Sequence, residues 1–184
     1  MLRNDDFLIP DWPAPASVKA VFTTRAGGCS NAPWDSMNLG DHVGDTPQHV
    51  ASNRTALQKT ITSRPVFLKQ IHGVDVEQLS STTPDGTVAD ACVTTQRGLA
   101  CTIMVADCLP VLLTNLEGTA VAAAHAGWRG LAGTDGEGVL EAIFSAFKVS
   151  NQPLAQSIRA QAAPEIIALS HSDAAYPPHL NASA

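Results

Sequence analysis

His72, Cys108 and His125 are three residues of this chain whose types could together hold a cation. Each stands where an apolar run gives way to a turn: His72 before Gly73, Cys108 after Ala106-Asp107 and before Leu109-Pro110, His125 before Ala126-Gly127. Two imidazoles and one thiolate form a borderline-soft donor set that suits zinc. Three protein donors leave a fourth tetrahedral position for water, as in catalytic sites, and zinc lowers the pKa of such a water to about 7. The positions alone leave a second reading open. The three lie far apart in the chain, without the short spacings of a zinc finger, so the histidines could be ordinary polar residues and Cys108 a small buried hydrophobe.

The apolar pattern supplies the elements that would position them. Residues 20–24 form a short β-type run, ended by Arg25-Ala26-Gly27-Gly28, and residues 29–45 read as a long loop. Thr46 as N-cap with Pro47 behind it predicts a helix to about Thr60, with Val50, Leu57 and Ile61 on one face. Residues 65–72 are β-like, and residues 74–79 alternate every second position, which predicts a half-buried strand paired with the preceding one. Strands are expected at 91–95, 99–106, 110–114 and 119–124. A second helix is expected from Thr134 or Asp135, with Glu137 completing a capping box and Val139, Leu140, Ile143, Phe144 and Phe147 on its apolar face. Strands with turn-length links outnumber helices, which gives the α+β class, a mostly antiparallel or mixed sheet covered by helices. Neither a Rossmann glycine fingerprint nor a Walker loop occurs.

A chain of 184 residues suffices for one domain with a sizeable core. Aromatics are only 5% against 45% hydrophobic residues, so closely packed sheets of small residues are expected. The net charge of −6 and the scattered Lys19, Lys59, Lys69 and Lys148 give no electrostatic footprint for nucleic acid, which points to a small-molecule substrate. The first residues are acidic and lack an apolar signal region, and the apolar runs are strand-length, so a cytoplasmic protein without a membrane span is expected. Cys92 and Cys101 sit inside apolar runs and read as core filling; Cys29, in a Gly-rich loop, reads as an exposed thiol. No CxxC spacing suggests disulfides.

Longer motifs narrow the choice. Lys69-Gln70-Ile71-His72-Gly73, Val105-Ala106-Asp107-Cys108-Leu109-Pro110-Val111 and Ala124-His125-Ala126-Gly127-Trp128-Arg129-Gly130 follow one another. Upstream stand Thr23-Thr24-Arg25-Ala26-Gly27-Gly28-Cys29-Ser30, Asn38-Leu39-Gly40, Val43-Gly44-Asp45 and Asn53-Arg54. From about Val21 to Phe147 the chain resembles the YfiH family, also called the multicopper polyphenol oxidoreductase (laccase-like) or purine nucleoside phosphorylase family. The resemblance implies an α/β/β/α layered fold and a zinc site made by His72, Cys108 and His125. It also implies phosphorolysis of adenosine, inosine and methylthioadenosine, and deamination of adenosine at a metal-bound water. Asp107, beside Cys108, is the candidate proton relay, or else a turn or orienting carboxylate. Arg25, Asn38, Gln70 and Arg129 are the candidate substrate-binding residues, the arginines for phosphate. Trp128 could stack on a purine or anchor a strand-to-helix turn. Copper is chemically allowed at the same donors. With six histidines in all, including the scattered His42, His49, His171 and His179, a full multicopper cluster within one chain is not expected.

The resemblance fades after the second helix. Residues 1–149 read as the metal-binding catalytic domain and residues 150–184 as a divergent, non-native or disordered tail, as in a truncated or frame-shifted member with an incomplete sandwich. A monomer or homodimer would be consistent with this. A cysteine-type hydrolase or amidase acting on cell-wall precursors, with Cys108 as nucleophile and His125 or His72 as base, is a different enzyme class that uses the same residues. A copper-dependent polyphenol oxidoreductase and an inactive, merely metal-binding domain complete the alternatives.

Overall fold

The computed structural model describes residues 2, 6–12, 14–150 and 166–170, with 149–150 and 166–170 described by backbone alone. One sheet has strand order β1-β2-β9-β6-β3, built from β1 (Phe7–Leu8), β2 (Ala20–Thr23), β3 (Arg64–Phe67), β6 (Leu99–Val105) and β9 (Ile166–Ser170). The other has order β4-β5-β8-β7, from β4 (Val76–Gln78), β5 (Ala91–Thr94), β7 (Leu109–Thr114) and β8 (Val121–Ala126). The first sheet is parallel except where β1 meets β2; the second is antiparallel except where β4 meets β5. Among the described residues three helices accompany them: α1 (Pro47–Ile61), α2 (Trp128–Ala132) and α3 (Val139–Ser150).

Strand alternation sorts the core into layers. Leu99, Cys101, Ile103 and Val105 of β6 pack against Cys92, Val121 and Ala123 of the opposite sheet. The intervening Ala100 and Met104 turn the other way, toward Leu57 and Ile61 of α1. Ala91, Val93, Ala122 and Ala124 likewise meet Val139, Ile143 and Phe147 of α3. The order is therefore helix, sheet, sheet, helix, the expected α/β/β/α sandwich with mixed sheets. β8 is covered on both faces, and its alanines let sheet and helix approach closely. Cys92 and Cys101 are fully buried between the sheets, and burial pushes the Cys101 thiol well above its ordinary range.

Three expectations need correction. The strand at 74–79 does not pair with its predecessor: β4 lies parallel to β5, while β3 pairs with β6 in the other sheet. The residues between β3 and β4 are too many for a tight hairpin, and they carry the chain across the sandwich. α3 begins at Val139 rather than Thr134 or Asp135. Thr134 and Glu137 instead face each other across a turn containing Gly136 at φ 84°, and Glu141 accepts the Gly138 N–H at 2.9 Å, so the capping carboxylate acts one turn later. The segment after residue 150, expected to hold no core element, contributes β9 between β2 and β6.

The loop 29–45 is held to α1 by buried polar groups. Asn53 of α1 donates to Ser30 Oγ, Ser36 O and Asn38 O, and accepts the Cys29 N–H. Asp45 accepts from Ser30 Oγ at 2.7 Å, Asn38 Nδ2 at 3.0 Å and the Thr46 N–H at 2.7 Å. Burial would raise its carboxyl, but the bonds from Asn38, Ser30 and Thr46 and the nearby His49 hold it below the usual 3.8. A lowered carboxyl contributes stability that is complete above its unfolded pKa and lost as pH falls through the folded value. Melting between pH 6 and pH 3 should therefore show wild type losing its advantage over Asp45→Asn below about pH 4. A constant gap across that range would show that the Asp45 charge does not hold the loop.

Candidate metal centre

His72, Cys108 and His125 converge: one donor atom from each lies within 4.8 Å of the others. Cys108 Sγ is 3.7 Å from His72 Nε2, and the two imidazoles meet edge to face at 4.7 Å. Tetrahedral zinc with ordinary Zn–S and Zn–N bonds separates sulfur from nitrogen by about 3.6 Å, close to the spacing at which Cys108 Sγ and His72 Nε2 stand. Among the described residues no further imidazole joins them; His42 and His49 lie beside Asp41 and Asp45 instead.

The sandwich explains the convergence. Cys108 lies on the β6–β7 connection and His72 on the β3–β4 connection, the two places where these strands lead from one sheet to the other. His125 is the next-to-last residue of β8 and is 4% exposed. His72 does not end a strand, as its sequence context suggested. β3 stops at Phe67, and His72 sits in a loop with left-handed backbone, φ 61°.

Asp90 organises the floor of the centre. Its carboxylate is 0% exposed and accepts the N–H groups of Ile71 at 3.0 Å, His72 at 2.8 Å and Gly73 at 2.8 Å, and it lies 2.9 Å from His125 Nδ1. Its carbonyl accepts the His125 N–H at 2.7 Å, continuing the β5–β8 register. Burial alone would raise the Asp90 carboxyl, but His125 and the three loop N–H groups hold it below its ordinary value. Burial, then the neighbouring Asp107 and Asp90, push the Cys108 thiol up. Negative charge thus surrounds the donors, which favours a cation among them.

Gly127 closes the site from the β8 side. A Cβ there would stand 2.8 Å from His72 Cδ2 and 2.9 Å from Cys108 Sγ. Beyond it Trp128 is 71% exposed, with the Arg129 guanidinium 4.6 Å above its ring.

The other expected site residues are placed as follows. Asp107 is exposed, with its Oδ1 3.7 Å from Cys108 Sγ. Gln70 gives both ends of its amide to the Met104 backbone, at 2.7 and 2.8 Å, and so pairs with β6 where β3 has ended. Asn38 is buried in the loop, bound to Gly40 and Asp45. Arg25 is engaged by Asp35 through its carbonyl and carboxylate. Sequence reasoning missed Asp90 and Gly127. An acidic residue before a fully apolar run, with a histidine due opposite it in an antiparallel partner, is the signal that could have found Asp90.

The family model described as multi-copper polyphenol oxidoreductase laccase matches residues 19–171. A purine nucleoside phosphorylase of Pseudomonas aeruginosa is 51% identical over 149 residues, 80% of this chain and 59% of that one. Purine nucleoside phosphorylase YfiH of Escherichia coli is 49% identical over 142 residues, 76% of this chain and 57% of that one. The crystal structure of a Neisseria meningitidis DUF152 protein superposes with a TM-score of 0.73 at 48% identity, covering 78% of this chain and 57% of that one. The chain spans less than two thirds of the length of these relatives. No described helix is long and apolar enough to cross a membrane. With half or more of its own length matched in each comparison, in the same layered fold, the chain belongs to the YfiH family.

Proposed function

We propose that the chain is a zinc-dependent enzyme on purine nucleosides, catalysing phosphorolysis of adenosine, inosine and methylthioadenosine and deamination of adenosine. The observation that carries the reading is the convergence of His72, Cys108 and His125 within 4.8 Å; the names of the relatives give the substrate class. Residues 1–149 supply all three donors. Zinc held there would act as a Lewis acid and activate water near neutral pH. Copper fits the same donors by its general affinity.

The roles of the chain's own groups follow from their exposure. Asp107, exposed beside Cys108, is placed to take up and return a proton. Trp128 and Arg129 present an aromatic face and a cation at the start of α2, suited to a base and a phosphate. Arg25 is a second candidate for phosphate. Asn38 and Gln70, whose amides are bound within the protein, contribute by holding loops. The scattered basic residues and strand-length apolar runs support a cytoplasmic location and a small-molecule partner.

The 3.7 Å contact of Cys108 with His72 favours one second reading, a cysteine–histidine hydrolase. The carboxylates beside the thiol count against it, since they oppose a free thiolate. Adenosine with and without phosphate, before and after chelation, separates the readings. Inosine and ribose 1-phosphate should form, stop when the metal is stripped, and resume when stoichiometric zinc is restored. Full activity after complete chelation would overturn the zinc reading, and hydrolysis of an amide substrate by the metal-free chain would favour the dyad.

A further inference from the structure

We propose that Asp90 is the positioning residue that presets both histidines of the centre before any metal arrives, fixing the proton of His125 on Nδ1 and the loop of His72 in its left-handed turn. This rests on the reading of His72, Cys108 and His125 as the metal ligands.

The carboxylate is a four-donor acceptor with no access to water. Oδ1 takes the His72 N–H and faces His125 Nδ1, and Oδ2 takes the N–H groups of Ile71 and Gly73. Asp90 already takes three backbone N–H donors and faces His125 Nδ1 at 2.9 Å, so in the neutral ring the hydrogen belongs on Nδ1. That leaves the Nε2 lone pair free, and Nε2 is the nitrogen with which His125 can meet His72 and Cys108. The same carboxylate gathers three successive N–H groups around His72, whose φ of 61° is costly for a side chain with a Cβ. The carboxylate so satisfies N–H groups that this turn leaves without a strand partner. The Asp90 backbone adds a second tie, since its carbonyl binds the His125 N–H. One side chain therefore sets the ring tautomer on β8 and the backbone of the β3–β4 connection. Its burial at 0% exposure and its position across from His125 leave it no contact with a substrate, so it acts through the ligands.

Asp90→Asn makes the test sharp because it keeps the shape and changes the donors. An amide must turn its NH2 either toward the Ile71 and Gly73 N–H groups or toward His72 and His125. The first opposes donor to donor and loosens the His72 turn. The second moves the ring proton of His125 to Nε2, where it blocks metal binding. Zinc affinity, measured by competition with a chromophoric chelator, should fall about 10–100-fold, the range for groups that orient metal ligands. Asp90→Asn binding zinc within about twofold of wild type would overturn the proposal. A second measurement needs no variant. In the metal-free wild type, at a pH where the ring is neutral, ring 15N shifts should report His125 protonated on Nδ1; a neutral ring protonated on Nε2 would overturn the proposal even if Asp90→Asn failed to fold. Wild type that binds no zinc would remove the metal reading itself, and the 15N result would still decide the role of Asp90.

Discussion

Under the proposed zinc reading, Cys108→Ala should lose stoichiometric zinc and, with it, turnover of purine nucleosides. The thiolate is the one anionic donor of the three, so its loss removes both a bond and the charge that offsets the cation. Structural zinc sites are worth about 10–16 kcal/mol over four ligands, or about 2.5–4 kcal/mol each, so affinity should drop about 10²–10³-fold. The fold should not share the loss. Cys108 is half-buried on a connection, outside the fully buried part of the inter-sheet core, and its truncation opens no sealed cavity. Zinc titration and the melting curve of the metal-free chain read the two effects separately. One equivalent of zinc held at wild-type affinity by Cys108→Ala would show that sulfur is not a ligand.

Gly127→Ala should damage the centre without replacing a single donor residue. The backbone at Gly127, φ −74° and ψ 161°, is ordinary extended geometry that alanine adopts freely, so no backbone strain arises. The added methyl carbon is the whole perturbation, and it falls within 3 Å of both His72 and Cys108. Real contacts of this kind are longer by half an ångström or more, whereas zinc tolerates ligand displacements of about 0.2 Å. Affinity should fall on the order of 10²-fold, the upper end of the effect of losing an orienting group. Where the side chains cannot swing outward, crowding should also cost about 1–3 kcal/mol of stability. Replacing Gly127 by serine should do at least as much harm. An alanine variant with unaltered zinc binding would mean that the donors approach the cation from another side.

The strands from β5 to β8 were legible because each is a compact apolar run with a turn after it. Residues 99–106 became β6 and residues 110–114 became β7 with shifts of only a residue or so. The apolar face of α3 was equally plain, from Val139 to Phe147, since a helix against a sheet needs that spacing. Its start was not, because Thr134 and Glu137 satisfy the capping pattern while the turn at Gly136 forbids a helix there. Partnering was the least legible property. β4 alternates like a hairpin strand, yet only the length and course of residues 68–75 decide which sheet it joins. β9 is a short apolar run in a stretch without periodicity, and parallel neighbours leave no turn signal beside it. At the site, the residue types of His72, Cys108 and His125 allowed a metal, and it was the motifs around them that singled the three out. Asp90 was not singled out: a lone acid ahead of a strand reads as a turn residue until its cross-strand partner is known. Asn38 and Gln70 show the converse, since an amide in a motif can be consumed by backbone groups such as Met104.

The placement of two donors on the crossings between sheets, and of the third at a strand end beside them, has a mechanical consequence. A cation bound there would rivet one half of the sandwich to the other at a single edge. Sliding or prying the halves apart would then have to break coordinate bonds as well as slip apolar side chains past each other. Loading with zinc should accordingly make the chain harder to unravel under tension, and the extra resistance should vanish with the metal.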